Sequence, residues 1–255
     1  MEILLLFIAH FLGDFVFQSS TIAHKKMDNI KYFYLHCAIY SGAILLPLLC
    51  FGPTESIALI FSAIVVTHAV IDYGRIKILK KIRKNKADYK SKDFAIFITD
   101  QILHIMVIVV CSHFINDHSI IGDAIMNILV KHLEWKQIYN ILVYIFLYII
   151  CLSPTAVFIK KVFVFFSIQN DTDIVKKEEL INSGYLIGIL ERIIILTLGL
   201  NAQLGAIGFV LAAKSLARFK QLEDKNFAEK YLLGTLLSVA ISLFCITIGN
   251  FLLIK

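Results

Sequence analysis

The sequence predicts an all-α protein whose helices form a polytopic transmembrane bundle. Of its 255 residues, 58% are hydrophobic and only three are proline. The mean hydropathy is +0.79, whereas soluble domains average roughly 45–50% apolar residues. Apolar runs rich in Ile, Leu and Phe approach the length of about 20 residues that a helix needs to cross a bilayer.

Eight spans are predicted along the chain, and we place them in one domain, 1–255. Their approximate ranges are 2–19, 31–52, 56–76, 94–115, 137–159, 180–200, 203–219 and 230–254. Residues 1–115 form a half with four spans, and residues 137–255 form a second helical half. Between them, residues 116–136 are a candidate interfacial helix. The segment KKVFVFFSI at 160–168 either extends the fifth span or lies at the interface.

A strongly basic stretch at 74–93, GRIKILKKIRKNKADYKSKD, sets the orientation. It contains nine Lys and Arg residues. Because such residues in short loops favour the cytoplasmic side, we predict a cytoplasmic loop here and, counting spans from it, both termini outside. The stretch is most simply a topology determinant. Attraction of anionic lipid headgroups is an alternative, and nucleic acid is the least expected partner.

Three His/Asp pairs, each four residues apart, lie inside the apolar stretches. They are His10/Asp14, His68/Asp72 and Asp100/His104, and His36 joins them from a fourth stretch. Because four residues make about one helical turn, both members of a pair lie on the same face of their helix. Ionisable groups inside membrane helices are costly and usually mark a function. These seven residues are therefore the candidate site.

The order within each pair follows the predicted direction of its helix. The first and third spans run inward and carry His before Asp, whereas the fourth runs outward and carries Asp before His. In all three helices we therefore expect the carboxylate nearer the cytoplasm and the imidazole deeper. At about 1.5 Å per residue, all seven groups fall in the cytoplasmic half of the membrane.

Convergence of three carboxylates and four imidazoles in a low-dielectric interior requires a counter-charge. A divalent metal ion would supply it, and imidazole with carboxylate suits zinc, manganese or iron. The predicted metal ligands are His10, Asp14, His36, His68, Asp72, Asp100 and His104. The predicted catalytic residues are the carboxylates Asp14, Asp72 and Asp100, one of which would be the general base.

The number of metal ions stays open at this point. Seven groups exceed one tetrahedral shell, so either two ions share the site or some groups only orient the ligands. With three ionised Asp, one ion leaves a net charge of −1 and two leave +1, which better suits an anionic substrate. Structural packing and a metal-free proton relay are the alternative interpretations.

The second half of the chain carries its own charged residues in apolar surroundings. They are Glu191 and Arg192 in GILERIIIL, and Lys214 and Arg218 in LAAKSLARF. One interpretation is that these four line a mainly cationic wall that binds the phosphate or carboxylate of a substrate. Gln18, one turn beyond Asp14, would contribute a hydrogen bond. The alternatives are a structural ion pair between Glu191 and Lys214 and snorkelling of Arg218 to the interface.

Several motifs spread over most of the chain carry a family resemblance. They are HFLGDFVFQ, YLH, HAVIDYGRIK and DQILH in the first half, and GILER, AIGFVLAAKSLARF and the Y-x-x-G-T of YLLGTLLS in the second. Together they resemble a family of bacterial integral membrane proteins, domain of unknown function 3307. A looser similarity is to inner-membrane metal-dependent hydrolases, whose His-Arg and Thr-His-Ser pattern near the start this chain lacks. The resemblance implies a multi-pass protein of the bacterial inner membrane.

The leading functional hypothesis is a membrane-embedded, metal-dependent hydrolase with a site that faces the cytoplasm. A phosphorylated lipid or another membrane-associated anion is the expected substrate, because it would enter from the bilayer. The second hypothesis is a metal- or proton-coupled transporter that uses the same His/Asp cluster. A third is a membrane partner or sensor whose metal ion is structural.

Overall fold

The computed structural model describes residues 1–83, 86–115, 134–166 and 178–254, and every regular element in these ranges is helical. The α-helices are α1 (Glu2–Phe11), α2 (Ser20–Lys25), α3 (Ile30–Leu49), α4 (Glu55–Ile82), α5 (Lys86–Ser112), α6 (Trp135–Cys151), α7 (Ser153–Phe165), α8 (Glu178–Leu200), α9 (Leu204–Ala217) and α10 (Lys225–Leu252). A π-helical turn, Leu12–Val16, follows α1, and a 3₁₀ turn, Phe219–Glu223, follows α9. The prediction of an all-helical fold is confirmed for the described residues.

Five apolar stretches of helix among the described residues are long enough to cross a membrane. They are Ile30–Leu49, Glu55–Ile82, Ser91–Ser112, Trp135–Phe165 and Lys225–Leu252. Large apolar side chains on them, such as Leu46, Leu59 and Val110, are exposed on the outside of the protein, where hydrocarbon in place of water would solvate them. The chain is therefore a membrane protein.

The helices fall into two compact units, Met1–Leu142 and Val143–Lys255. In the first unit, α1 packs against α3 and α5, and α4 packs against α3 and α5, so the four helices close around one interior. Buried apolar residues from all four fill part of it, among them Leu6, Ile44, Ile64 and Ile108. The remainder of that interior holds the candidate site.

The basic stretch at 74–93 is largely helical, so the prediction of a loop there was wrong. Helix α4 continues to Ile82, and α5 begins at Lys86. The 28 residues of α4 span about 42 Å, longer than the ~30 Å hydrocarbon core. Ile76 and Leu79 are buried and continue the face that carries His68 and Asp72. Packing of this face therefore extends the helix beyond its apolar segment.

The first predicted span, 2–19, is not one regular helix. Ten residues of α1 lead into the π-helical turn, which contains Gly13 and Asp14. A π-helical turn next to an α-helix is rare and often accompanies a functional site. Here the turn brings the backbone of Gly13 against Tyr40 of α3.

The fifth predicted span, 137–159, is two helices. Helix α6 ends at Cys151, the backbone of Leu152 departs from the helical conformation with a ψ of −117°, and α7 begins at Ser153 with Pro154 in its first turn. Proline is accepted there because the first helical N–H groups have no intrahelical partner. Helix α7 reaches Phe165. Residues 116–133 of the candidate interfacial helix lie outside the described residues. Its Trp135 is the first residue of α6.

In the second unit, α8 packs against α9 and α10, and α7 packs against α8 and α10. Gly249 of α10 permits close approach, since a Cβ there would lie 2.8 Å from Leu147 Cδ1 and 2.9 Å from Leu200 Cδ2. Helix α9, within the seventh predicted span, has only 14 residues, about 21 Å. By itself it is therefore shorter than the hydrocarbon core.

Candidate metal centre

Three side chains from three segments converge inside the first unit. The Nε2 atoms of His36 and His68 lie 3.1 Å apart, and Asp14 Oδ1 lies 3.4 Å from the first and 3.8 Å from the second. Among the described residues these three form a group whose ligand atoms all lie within 4.8 Å of one another. His36 and His68 are at most 2% exposed, and Asp14 is 10% exposed.

This arrangement fits a small divalent cation. Bonds of 2.0–2.2 Å in a tetrahedral shell place any two ligand atoms about 3.4 Å apart, and the three separations bracket that value. Two imidazole nitrogens and one carboxylate oxygen are a donor set that suits zinc, manganese or iron. The residues present therefore fit the kind of ion that the sequence predicts.

The π-helical turn positions Asp14 for this role. A Cβ added at Gly13 would lie 2.9 Å from Tyr40 Cδ2 and 3.3 Å from Tyr40 Cα, so only glycine permits this approach of the two segments. The turn also leaves the Asp14 carboxylate within reach of both histidines of the centre and 3.9 Å from His10 Nδ1.

Gln18 orients His36. Its amide oxygen faces His36 Nδ1 at 2.9 Å and its amide nitrogen donates to the Asp14 carbonyl at 3.1 Å, the assignment that satisfies both groups. An N–H on Nδ1 leaves the lone pair of His36 on Nε2, the atom that faces His68. Metal-binding histidines usually donate their other N–H in this way. Gln18 thus contacts His36, a predicted metal-binding residue, and its predicted hydrogen bond to a substrate stays a prediction.

His104 and His10 extend the cluster. His104 Nδ1 donates to the Asp100 carbonyl at 2.8 Å, which leaves the Nε2 lone pair buried without a hydrogen-bond partner among the described residues. The His104 ring lies 4.7 Å from the His68 ring and 5.5 Å from the His10 ring. Tyr40 stacks on His68 at 3.5 Å, and its hydroxyl lies 3.2 Å from His10 Nδ1.

The two other carboxylates of the site have basic partners. Lys26 Nζ donates to Asp72 Oδ2 at 2.6 Å, and Asp72 Oδ2 lies 3.4 Å from His36 Nε2. Arg75 donates to Asp100 Oδ2 at 3.2 Å. The structure thus brings all seven predicted ligands into one connected cluster, but it gives two of the three carboxylates a cation from the chain itself.

Sequence reasoning missed four residues of this cluster, and two of them had a usable signal. Tyr40 is one turn after His36, and Arg75 is three residues after Asp72, so helical spacing places both on the site face. Gln101, which donates to Asp100 Oδ2 at 3.0 Å, had only its position beside that residue. Lys26 lies just after α2, outside the apolar stretches, and its role depends on a contact 46 residues away.

The second polar cluster lies in the second unit. Lys214 donates to Glu191 and, at 3.0 Å, to Thr235 Oγ1, so the ion-pair alternative for Glu191 is confirmed. Arg192 is buried and donates to the carbonyls of Cys151 and Leu152 at 2.6 and 3.1 Å. It thereby satisfies carbonyl groups at the break between α6 and α7. Arg218 contacts Gln221 at the protein surface.

Comparison with known proteins finds a family match for the first half of the chain. Residues 3–129 match the family described as Protein of unknown function (DUF3307). The DUF3307 match covers all four stretches that carry the His/Asp cluster, so the family resemblance of the first half is confirmed. No curated protein and no solved structure matches the chain significantly, and the looser similarity to metal-dependent hydrolases gains no support.

Proposed function

We propose that this protein is a membrane-embedded, metal-dependent hydrolase. The observation that carries the proposal is the convergence of His36 Nε2, His68 Nε2 and Asp14 Oδ1 at tetrahedral ligand spacing. Three protein ligands are the usual number in catalytic zinc sites, whereas structural sites have four. A divalent ion bound by them would activate water and polarise the bond to be cleaved.

The three residues of the centre and their neighbours have distinct parts in this proposal. His36, held by Gln18, presents a preset Nε2 lone pair, and the stacked Tyr40 ring holds the plane of the His68 imidazole. Asp14 supplies the negative charge that keeps an ion in a dry interior. Asp72, 3.4 Å from His36 Nε2, is close enough to the centre to orient a water molecule.

We further propose an anionic, membrane-associated substrate such as a phosphorylated lipid. Lys26 and Arg75 offset two of the three carboxylates, so one divalent ion would leave the cluster with a net charge of +1, and a lipid-like anion would enter a site between membrane helices from the bilayer. Eight crossings with both ends outside, in a bacterial inner membrane, would place this site toward the cytoplasm, as the basic stretch favours. Substrate binding by Glu191, Arg192, Lys214 and Arg218 stays a prediction.

A second candidate function, a proton-coupled transporter, rests on a different observation. The four imidazole rings form a continuous series, with neighbouring centroids 5.5, 4.7 and 5.1 Å apart from His10 through His104 and His68 to His36. All four are at most 2% exposed. Series of buried ionisable groups within membrane helices serve as proton relays in pumps and transporters.

Metal analysis of the detergent-purified protein tests the main proposal. Wild type and His113→Ala, a change at an exposed histidine, should retain bound zinc, manganese or iron in plasma mass spectrometry, and His68→Ala should lose it. A phosphoester panel in detergent should then show turnover that His68→Ala lacks. Wild type without metal, or proton flux in liposomes without phosphoester cleavage, would overturn the hydrolase in favour of the relay.

A further inference from the structure

The carboxylate of Asp72 lies between the metal centre and a basic side chain. Its Oδ2 atom is 3.4 Å from His36 Nε2 and 2.6 Å from Lys26 Nζ. The first distance is that between two ligands of one tetrahedral ion, about 3.4 Å. Asp72 therefore borders the centre but lies outside the group of three residues whose ligand atoms are all within 4.8 Å of one another, and the structure pairs it with an ammonium group.

Lys26 is built into the site and is not a mobile surface group. It is 8% exposed, although it follows the short helix α2 and neighbours the exposed Lys25. Besides Asp72 Oδ2, its ammonium reaches the Gln18 amide oxygen at 2.9 Å. A charge-assisted bond of 2.6 Å between two buried ions is costly to break, because each partner would be left unpaired.

The charges of the cluster indicate how many ions it accommodates. Its three carboxylates are opposed by Lys26 and Arg75, so with neutral imidazoles one negative charge remains, that of Asp14. One divalent ion brings the cluster to +1, which an anionic substrate would neutralise. Two ions would bring it to +3, which is unfavourable in a dielectric this low. The two basic residues therefore take the place of a second ion.

We propose, on the basis of the metal centre proposed above, that Lys26 is a positioning residue that withholds Asp72 from the ion. It limits the centre to one ion with three protein ligands and leaves the fourth position to water or substrate. The site is thus an open, catalytic type of centre, because a lysine from the segment between α2 and α3 competes for the fourth ligand.

Lys26→Met tests this assignment by removing the ammonium and keeping most of the apolar stem. Asp72 should then join the ion, and the affinity for zinc, measured by competition with a chelator, should rise at least tenfold. The visible spectrum of the Co²⁺-loaded protein should change as the ligand set changes. Adding Asp72→Asn to Lys26→Met should return the affinity to within about threefold of wild type.

Lys25→Met is the matched control, since Lys25 is exposed and contacts Tyr32 instead of the site. It should leave zinc affinity and the Co²⁺ spectrum unchanged. Where Lys26→Met does not fold, Lys26→Gln removes the same charge and keeps a donor for Asp72. Wild type itself should bind one zinc ion per chain.

The outcomes separate this inference from the proposed function. Unchanged or weaker zinc affinity in folded Lys26→Met, or two ions in wild type, would overturn the role of Lys26 while the metal centre stands. Wild type that binds no metal would overturn both. Tighter binding in Lys26→Met together with a changed Co²⁺ spectrum, both cancelled by Asp72→Asn, supports the role of Lys26, whereas tighter binding with an unchanged spectrum would reflect only the loss of a nearby positive charge and would overturn that role.

Discussion

The Nε2 atoms of His36 and His68 face each other at 3.1 Å in the interior of the first unit. Two neutral imidazoles at this distance share either a proton or a cation, because two bare lone pairs repel each other and each would lack a partner. Asp14 Oδ1, 3.4 and 3.8 Å away, adds a negative charge at the same point. This negative charge favours the cation.

Asp14→Asn should weaken metal binding far more than Asp100→Asn. Asp14 is a member of the three-residue centre, whereas the Asp100 carboxylate is already paired with Arg75, and Asp100 contacts His104 through its backbone carbonyl, which asparagine keeps. We expect at least a tenfold larger loss of zinc affinity for Asp14→Asn, measured by chelator competition. Equal losses in the two variants would place the ion elsewhere in the cluster.

Gly13→Ala should destabilise the first unit. The new Cβ would lie 2.9 Å from Tyr40 Cδ2 and 3.3 Å from Tyr40 Cα, and such overpacking typically costs about 1–3 kcal/mol. A lower midpoint of thermal unfolding in detergent is the expected result.

Gly42→Ala in α3 is the control for Gly13→Ala, because a Cβ there has no atom within 4 Å. Replacing a glycine inside a helix should stabilise the protein by roughly 0.5–1 kcal/mol. The two substitutions should therefore shift the unfolding midpoint in opposite directions. A shift in the same direction would contradict the close contact between the π-helical turn and α3.

Arg192→Met should destabilise the second unit more than Arg218→Met. The first removes donors to the Cys151 and Leu152 carbonyls, where the helix is broken and the interior is buried. Charged hydrogen bonds of this kind contribute about 1.5–3 kcal/mol each. Arg218, at the surface, should contribute at most about 0.5 kcal/mol. The two variants are compared by their midpoints of thermal unfolding in detergent. Equal midpoints would contradict a stabilising role of the hydrogen bonds from Arg192 to the two carbonyls.

Glu191 and Lys214 should show strong coupling in a double-mutant cycle. Glu191→Gln and Lys214→Met each leave one member of the pair without its ionic partner, so each alone should be more destabilising than the two together. The free energy of unfolding of the four variants measures the coupling, which we expect at about 2 kcal/mol. Additive effects would show that the two charges act independently.

The helical repeat explains how much of the site could be predicted. Each His/Asp pair is fixed by its spacing of four residues, and His36 by its place in an apolar stretch, so local periodicity was sufficient to select seven residues. Lys26 was not selected, because a lysine in a polar segment has no periodic signal. Asp72 and Asp100 each pair with a basic residue from another helix or segment, and helical spacing does not encode such contacts.

The boundaries of the helices also depend on contacts that are distant in sequence. The apolar run of the third span ended near residue 76, but the helix continues to Ile82, because Ile76 and Leu79 are buried against neighbouring helices. The break at Leu152 left only the weak signal of Pro154, and Arg192, 40 residues later, satisfies the carbonyl freed there. Such partners are not visible in a local window of sequence.

The sequence by itself determined that this is a helical membrane protein with a buried His/Asp cluster, because composition and helical periodicity are local properties. Only the tertiary structure decided which members of the cluster meet. His36, His68 and Asp14 come from three different segments, and their ligand atoms converge because α1, α3 and α4 pack around one interior. The same packing brought Lys26 to Asp72, and with it a charge balance that spacing along the chain does not encode.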